Sequence, residues 1–580
     1  MWTAGWRDRV WSQIGQPWDV IVIGGGITGA GILREAVRAG LKTLLIERRD
    51  FAWGTSSRSS KLVHGGLRYL ASGQLKLTLQ SVRERDQLLQ TGPGLIEPLG
   101  FLIAIRKGDR PGRLTYGAGL AVYDLMAWQW SHRYYGSEAF CRLAPHVVSQ
   151  GLSGGFRYED AQTDDARLVL RVIREAVAAG GVALNYAAAD SLLRDPEQVV
   201  GVRVSDQMTA RSAEARARLV VNATGASVDR LRAQIGAAPV VRPLRGSHLV
   251  FASWRLPAAQ ALTFLHPVDK RPVFVVPWQG ITLVGTTDVD HDTSLDDEPC
   301  ISPQEVAYLM AGLAQQFPSL NLTLDDVLAT FAGVRPVIGT GKSDPSKESR
   351  EHAVWDEHGI LTVTGGKLTT FRAIALDALK AARGRLPELA ALPSDQPVLM
   401  TAELDAESGR GLDEWSRRRL LGRYGAEAAA VLRAALPDEI AVIPGTETLW
   451  AELRWAARAE GVVHLDDLLL RRVRLGLTLP EGGTALLPHV REICQAELGW
   501  NDDQWEAEES AYRALWSACY SLPERSLIPD HRVTLAQSRQ RRRLPRQRRN
   551  LLVTFVFLTL LLGILIVRGR RQVRRVPAST

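Results

Sequence analysis

Apolar positions along this chain change their spacing several times, and each change marks an element. Residues 20–23 (VIVI) form a continuous β-branched run of the kind that buried parallel strands show. The run stops at Gly24, Gly25 and Gly26, and Gly29 follows after two further residues. An amphipathic stretch then reaches Gly40, which predicts a helix closed by a C-terminal glycine. A second apolar strand, 43–46, ends on Glu47. Further on, the strand 219–221 (LVV) runs into Asn222-Ala223-Thr224-Gly225. Another strand, 360–363, leads into Gly365-Gly366 and a helical pattern from Thr369. Segments of roughly 100–150 and 240–335 alternate apolar and polar positions with many turn residues, which predicts a sheet-rich part. From about 400 to 525 the pattern is helical; within it 465–475 (LDDLLLRRVRL) is amphipathic and carries no chemical motif, so the region reads as a structural cap or dimer element.

The two ends differ from this body. Residues 551–567 hold 17 positions without a charge, or about 26 Å as a helix, the short end of spanning length. Seven arginines lie in 539–549 and five in 568–575, so a transmembrane helix is expected, preceded by an arginine-rich linker (526–550) and followed by a basic tail (568–580). The richer N-terminal flank favours a body on the cytoplasmic side of the cell inner membrane. Residues 1–18 carry charge but no apolar run, so no secretory signal is expected. Trp2, Trp6, Val10 and Ile14 recur at helical spacing, which suits either a membrane interface or a helix packed on the first domain.

Composition adds two constraints. The net charge of +8 comes from the tail: residues 531–580 hold 13 arginines and no acid or lysine, leaving the first 530 residues at about −5. A nucleic-acid partner is therefore not expected. The four cysteines are scattered without CxxC spacing, which suggests a reducing compartment and neither a zinc site nor an iron–sulfur cluster. The acidic run from Asp288 imitates a calcium loop but has Thr293 in place of the glycine and Pro299 in place of the glutamate. It reads as a solvated turn, and no metal is expected.

Residues 19–47 form a complete βαβ dinucleotide fingerprint. Gly24 permits the tight turn, Gly26 lets the backbone approach a pyrophosphate, and Gly29 lets helix and strand pack closely. The helix N-terminus favours the anion, and Glu47, 18 residues past Gly29, stands where an acid accepts ribose hydroxyls. After it, residues 55–73 (TSSRSSKLVHGGLRYLASG) are crowded with hydroxyls and glycines. This stretch resembles the FAD-dependent sn-glycerol-3-phosphate dehydrogenases, whose fingerprint is followed by TSSxSSKLxHGGLRYLE; here Ala71 replaces the usual acid. DDARL at 164–168, NATG at 222–225, GSH at 246–248, VFVVPW at 273–278, GTTD at 285–288, GVRP at 333–336 and GGKLTT at 365–370 follow in family order. The resemblance covers residues 18 to about 525.

The resemblance implies an α/β, Rossmann-like FAD domain of the glutathione-reductase/amino-acid-oxidase type, made of about 19–100, 150–240 and 335–385 within a 19–400 oxidoreductase unit. A sheet-rich α+β substrate part (about 100–150 and 240–335) and an all-α C-terminal domain (401–525) complete it. Cofactor contacts are implied at Gly24, Gly26, Gly29, Glu47, Thr55, Ser56, Ser60, Ala223, Thr224, Gly225, Gly366 and Thr369. The implied substrate, sn-glycerol 3-phosphate, is a dianion that needs several cations, and Arg68, Tyr69, Arg335, Arg350 and Lys367 are the candidates by motif. Loss of hydride from carbon 2 also needs a proton acceptor near neutral pKa: His248 or His64 is the base, and Thr286 can bond the substrate.

No second βαβ fingerprint follows Glu47, so electrons are expected to arrive from the substrate and leave to a membrane quinone in the lipid bilayer. An oxygen-using oxidase releasing hydrogen peroxide is the alternative. An amino-acid-oxidase-like flavoenzyme or an inactive flavoprotein scaffold fits the phosphate-binding motifs less well. A homodimer is compatible with the helical domain.

Overall fold

The computed structural model describes residues 2–533 and 535, apart from 72, 197, 340, 342–347, 349–350, 392–395 and 406–408. Two sheets organise them. The first has the strand order 352–357, 360–365, 212–222, 18–23, 43–46, 182–184, and the hairpin 187–206 extends it. Its central strand, Trp18–Ile23, runs parallel to both neighbours, with Val22 opposite Leu45 on one side and Val221 on the other. Both faces are covered, so residues 20–22 have no exposed side, which is why the sequence there is uniformly apolar. Helix Ile27–Arg38 packs between helices Asp165–Ala178 and Phe371–Ala381 on this sheet.

The second sheet brings together strands from 62–63, 96–106, 133–163, 241–290 and 327–338. Val241–Ala252 is its functional spine, pairing antiparallel with Ile281–Gly285 and with Val327–Ile338. That register sets His248 opposite both Gly285 and Phe331, and Leu244 opposite Arg335. Strand Leu152–Thr163 belongs to this sheet rather than to the first, through its pairing with Ile96–Arg106.

Several expectations change here. The sheet-rich segment 100–150 also contains the helices Arg113–Ala127 and Ser137–Leu143. The N-terminal tryptophans pack on the first domain: Trp2, Trp6 and Trp18 are buried, and Trp2 stacks on Phe51 with centroids 5.0 Å apart. The acidic run is no solvated turn. Asp288 is buried and paired to Arg271 and Arg335, Asp290 pairs with Arg242, Asp296 with Arg48 and Arg230, and Glu298 with Arg58. Nor are all four cysteines single. Cys300 and Cys519 are joined in a disulfide across 219 residues of sequence, because helix Asp502–Cys519 packs its end against the loop that carries Glu298. Among the described residues no helix is long and apolar enough to cross a membrane. The expected span at 551–567 lies outside them.

The C-terminal helices close over both sheets through charge as well as apolar contact. A wide π-helical turn, Asp467–Arg472, drives Arg471 and Arg472 into the interior, where both guanidiniums meet the carboxylate of Asp50. Arg474 follows, in contact with Asp164 and Asp165, and Arg167 reaches Glu460. All these side chains are essentially inaccessible to water. Burial works against ionisation of Asp50, but Arg472 and Arg471 overcome it and hold its carboxyl down to about 2.

Candidate active site

The first strand, the helix after it and the 222–225 turn shape a cradle that only glycine permits. Gly24 takes φ +113°, and a Cβ there would stand 2.5 Å from the carbonyl oxygen of Ala223. A Cβ on Gly29 would lie 1.9 Å from the carbonyl oxygen of Gly24. Backbone therefore touches backbone at both points. Gly26 is the N-cap of helix Ile27–Arg38 and offers no side chain to its open N–H groups. Ser56 takes one of them, its Oγ accepting from the Ile27 N–H at 3.0 Å. Glu47 accepts from the N–H groups of Gly25 (2.7 Å) and Arg49 (2.8 Å), and burial pushes its carboxyl above the ordinary value. In the 222–225 turn, Asn222 accepts from the Thr224 hydroxyl at 2.7 Å and donates to the Val228 carbonyl at 2.9 Å, while Gly225 accepts from Thr364 at 3.0 Å. These residues fit a dinucleotide: a close backbone, an open helix N-terminus and a carboxylate at the end of the second strand.

The chemical groups fall into two clusters joined by residues 60–64. In the first, the Ser60 hydroxyl and His248 Nε2 are 2.8 Å apart, and the imidazole stacks on Phe331 at 4.5 Å between centroids. His248 is buried, and among the described residues nothing hydrogen-bonds its Nδ1. Burial, then Arg335, then Lys61 hold its pKa well below the usual histidine value, so the ring is neutral. Arg335 donates to Thr286 Oγ1 at 2.9 Å and to Asp288 at 3.0 Å. Gly246 lies so close that a Cβ on it would meet the guanidinium at 2.2 Å.

The second cluster surrounds Tyr69. Lys367 Nζ sits 3.5 Å from the Tyr69 ring centroid and donates to Ser81 Oγ at 3.0 Å. Burial pushes this lysine down to about 7, with Asp160 working the other way. The His64 ring is nearly parallel to that of Tyr69 at 6.4 Å, and the His64 backbone is held at both N–H and carbonyl by the Thr369 hydroxyl. Gly366 adopts φ +77°, and a Cβ there would strike Ile374 at 2.4 Å. Arg68 lies in the short helix Leu67–Ala71, but its side chain, and all of Arg350, fall outside the described residues.

Besides Glu47, Ser56, Thr224 and Thr369, two more of the expected cofactor ligands have protein partners in this structure. Ser60 faces His248, and the Thr55 hydroxyl donates to the Val334 carbonyl. Three residues that carry the site had no assigned role in the sequence reading. Lys61 is fully buried, donates to both oxygens of Asp165 (2.8 and 2.9 Å) and lies 5.0 Å from the Phe331 ring, on whose face His248 also stacks. Asp160 accepts from Gly65 N–H (3.0 Å), Tyr123 (2.7 Å) and Arg85 (2.6 Å), and so sets the loop between the two clusters. Glu305 binds the hydroxyls of Ser247 and Thr287 on either side of His248 and Thr286. Lys61 stood inside the SSKL motif, which was the one available signal; Asp160 and Glu305 had none.

A family model described as FAD dependent oxidoreductase matches residues 19–372, and one described as the C-terminal domain of alpha-glycerophosphate oxidase matches 387–505. Glycerol-3-phosphate dehydrogenase 2 of Mycobacterium tuberculosis is 35% identical over 532 residues, covering 88% of this chain and 90% of that protein. The aerobic glycerol-3-phosphate dehydrogenase of Staphylococcus aureus is 34% identical over 481 residues, 78% of this chain and 86% of its own. The X-ray structure of the glycerol-3-phosphate dehydrogenase from Bacillus halodurans complexed with FAD aligns at a TM-score of 0.72 and 28% identity, covering 90% of this chain and 98% of that one. With the fingerprint glycines, the GSH histidine and the GVRP arginine all in place within this fold, the chain belongs to the FAD-dependent glycerol-3-phosphate dehydrogenase family.

Proposed function

We propose that this protein oxidises sn-glycerol 3-phosphate to dihydroxyacetone phosphate and hands the electrons to a quinone in the membrane. The observation that carries the reading is a neutral, buried imidazole, His248, on a strand paired with the one that carries Arg335 and with the one that leads into Thr286. FAD, when bound, supplies the acceptor for the hydride from carbon 2. Arg335 and Lys367 bind the phosphate dianion, Arg335 from a guanidinium that also holds Asp288 and Thr286. His248 takes the hydroxyl proton. Burial and, after it, the charges of Arg335 and Lys61 keep its basicity low, and a dianion on Arg335 offsets the electrostatic part of that shift. Substrate binding thus brings the base toward the range in which it works. Ser60 orients the ring, and His64 packs on Tyr69 at the other cluster.

The test is anaerobic mixing of the purified flavoprotein with sn-glycerol 3-phosphate while following the flavin band at about 450 nm. Bleaching is expected, with rapid recovery on adding a quinone analogue. Rapid recovery with oxygen and peroxide release would assign the oxidase instead, and no bleaching would remove this substrate. The membrane reading rests on the composition of 551–567. Deleting that segment is expected to turn an integral protein into one that high salt and carbonate extract; full extraction of the intact chain would refute the anchor.

A further inference from the structure

Glu305 stands at the third position of helix Pro303–Gln316 and closes the capping box there. Its Oε2 accepts from the Ser302 N–H (3.0 Å) and hydroxyl (2.8 Å), and Ser302 Oγ accepts from the Glu305 N–H at 3.3 Å. Arg245 donates to the same carboxylate oxygen at 3.0 Å. Nothing in a capping box requires a partner for the other oxygen. Here Oε1 accepts from the hydroxyls of Ser247 (2.8 Å) and Thr287 (2.6 Å), and Thr287 Oγ1 in turn accepts from the Ser247 N–H at 2.8 Å. Glu305 is buried, which works against its charge, but Thr287, Arg245 and Ser302 overcome this and hold the group below the ordinary glutamate value.

These bonds fall where the sheet is interrupted. Strand Val241–Ala252 pairs with Ile281–Gly285 up to the pair His248/Gly285, and pairing resumes at Arg245/Val289. Between them Gly246 and Ser247 face Thr286, Thr287 and Asp288, and the Thr287 N–H reaches the Ser247 carbonyl only at 3.4 Å. Successive side chains of a strand face opposite sides. Ser247 therefore turns to the helix and His248 to Ser60 and Phe331. On the facing segment Thr286 Oγ1 accepts from Arg335, and the Thr287 carbonyl accepts from the same guanidinium at 3.3 Å. The packing leaves no slack: a Cβ on Gly246 would stand 2.6 Å from Thr286 Oγ1, and one on Gly285 2.3 Å from His248 Cδ2. A shift of 246–248 against 285–287 thus moves the imidazole relative to the arginine.

We infer that Glu305 is a positioning residue for the reaction: bridging the break in the ladder, it sets the base His248 against the clamp formed by Arg335 and Thr286. The inference rests on the substrate reading above and adds to it a residue that acts through Ser247 and Thr287. Without the bridge, substrate still meets Arg335, but its carbinol is offered to a base that is out of place, so the loss falls on the rate of hydride transfer.

Glu305→Gln separates this role from capping. An amide has one acceptor oxygen, and Arg245 and the Ser302 N–H, which can only donate, claim it; the cap survives, while the NH2 faces Ser247 and Thr287 and their bonds must reverse. The experiment is anaerobic stopped-flow mixing of the full-length flavoprotein with saturating sn-glycerol 3-phosphate, which reads the rate of flavin bleaching apart from its amplitude. Glu305→Gln is expected to keep its flavin and the full amplitude but to bleach about tenfold or more slowly. Thr287→Val, which leaves the cap untouched, should do the same, and the double variant should be no slower than the slower single one, because both act through one bond. Should Glu305→Gln fail to load flavin, Thr287→Val decides by the same criterion. An unchanged rate would overturn the inference, as would a smaller amplitude at the wild-type rate, which would make the carboxylate a stabiliser only. Wild type that does not bleach would refute the substrate and this inference together; wild type that bleaches beside an equally fast variant would refute the inference alone.

Discussion

Lys367 is the most informative residue to perturb, because its charge is balanced at the pH of the cell. Its pKa of about 7 means that roughly half the molecules carry an ammonium there at pH 7, about a tenth at pH 8 and about a hundredth at pH 9. A phosphate monoester reaches its second charge above pH ~6. Dianion and ammonium therefore coexist best between about 6 and 7. If only the cationic lysine holds substrate, kcat/KM falls about fivefold from pH 7 to 8 and about tenfold more by pH 9. Lys367→Met should abolish this alkaline limb. It should also cost about 1.5–3 kcal/mol of charge-assisted hydrogen bonding, or roughly 10- to 100-fold in KM at pH 6.5.

The assay is steady-state oxidation of sn-glycerol 3-phosphate with a dye acceptor, from pH 5.5 to 9, for wild type and variant. His248 does not shape the alkaline side, since its pKa lies below the usual histidine value. Lys61, which burial pushes down to about 8, titrates nearby but is enclosed by Asp165 and the Ser57 carbonyl. An alkaline limb that survives in Lys367→Met would refute the reasoning and point to Lys61.

Three more perturbations separate the roles of the other residues. Arg335→Ala should lower kcat/KM about 100-fold while the visible flavin absorbance per protein stays unchanged; loss of flavin would make the arginine structural. Ser60→Ala removes the partner of His248 Nε2, so kcat should fall about tenfold with KM nearly constant, and the acid limb of the pH–rate profile should move. Asp50→Asn leaves Arg471 and Arg472 facing an amide, which should destabilise the fold by about 3–5 kcal/mol in denaturant titrations. Because the folded-state pKa of Asp50 lies below its ordinary 3.8, its contribution is complete above that pH and is lost as pH falls through about 2; an unchanged acid midpoint in the variant would contradict it.

What could be read from the chain was local. The strand 20–23, the glycines after it and Glu47 lie within thirty residues, and every constraint on them comes from that short span. His248 and Arg335 were legible by motif, although their meeting depends on the register between two strands over eighty residues apart. The partners of Lys61 were not legible, since Asp165 is 104 positions away and nothing in SSKL states which carboxylate answers the lysine. The same holds for Cys300 and Cys519, and for the acidic run, which pairs with six arginines from elsewhere in the chain. The helix Arg113–Ala127 failed for another reason. Its apolar positions fall on both faces, so it shows no clean 3.6-residue alternation with polar residues, and a stretch of that kind reads as easily as strand.

The buried arginines change what the C-terminal helices are. A continuous path runs from Arg474 through Asp165 and Lys61 to Ser60 and His248, and every group on it but Ser60 is buried. Without residues beyond about 400, Asp165 would keep Lys61 as its one cation among the described residues, Asp164 would lose both Arg423 and Arg474, and Asp50 would lose both its cations. Each of these carboxylates loses a cation, and the apolar surface that the helices cover loses its cover, against a total stability of about 5–15 kcal/mol for an ordinary domain. A chain ending at residue 400 should therefore not fold into a flavoprotein, even though its dinucleotide fingerprint is intact. Expression of residues 1–400 with FAD in the refolding buffer tests this: a soluble product with stoichiometric flavin would refute it, and the helices would then be a cap laid over a finished core rather than the part that completes its charge.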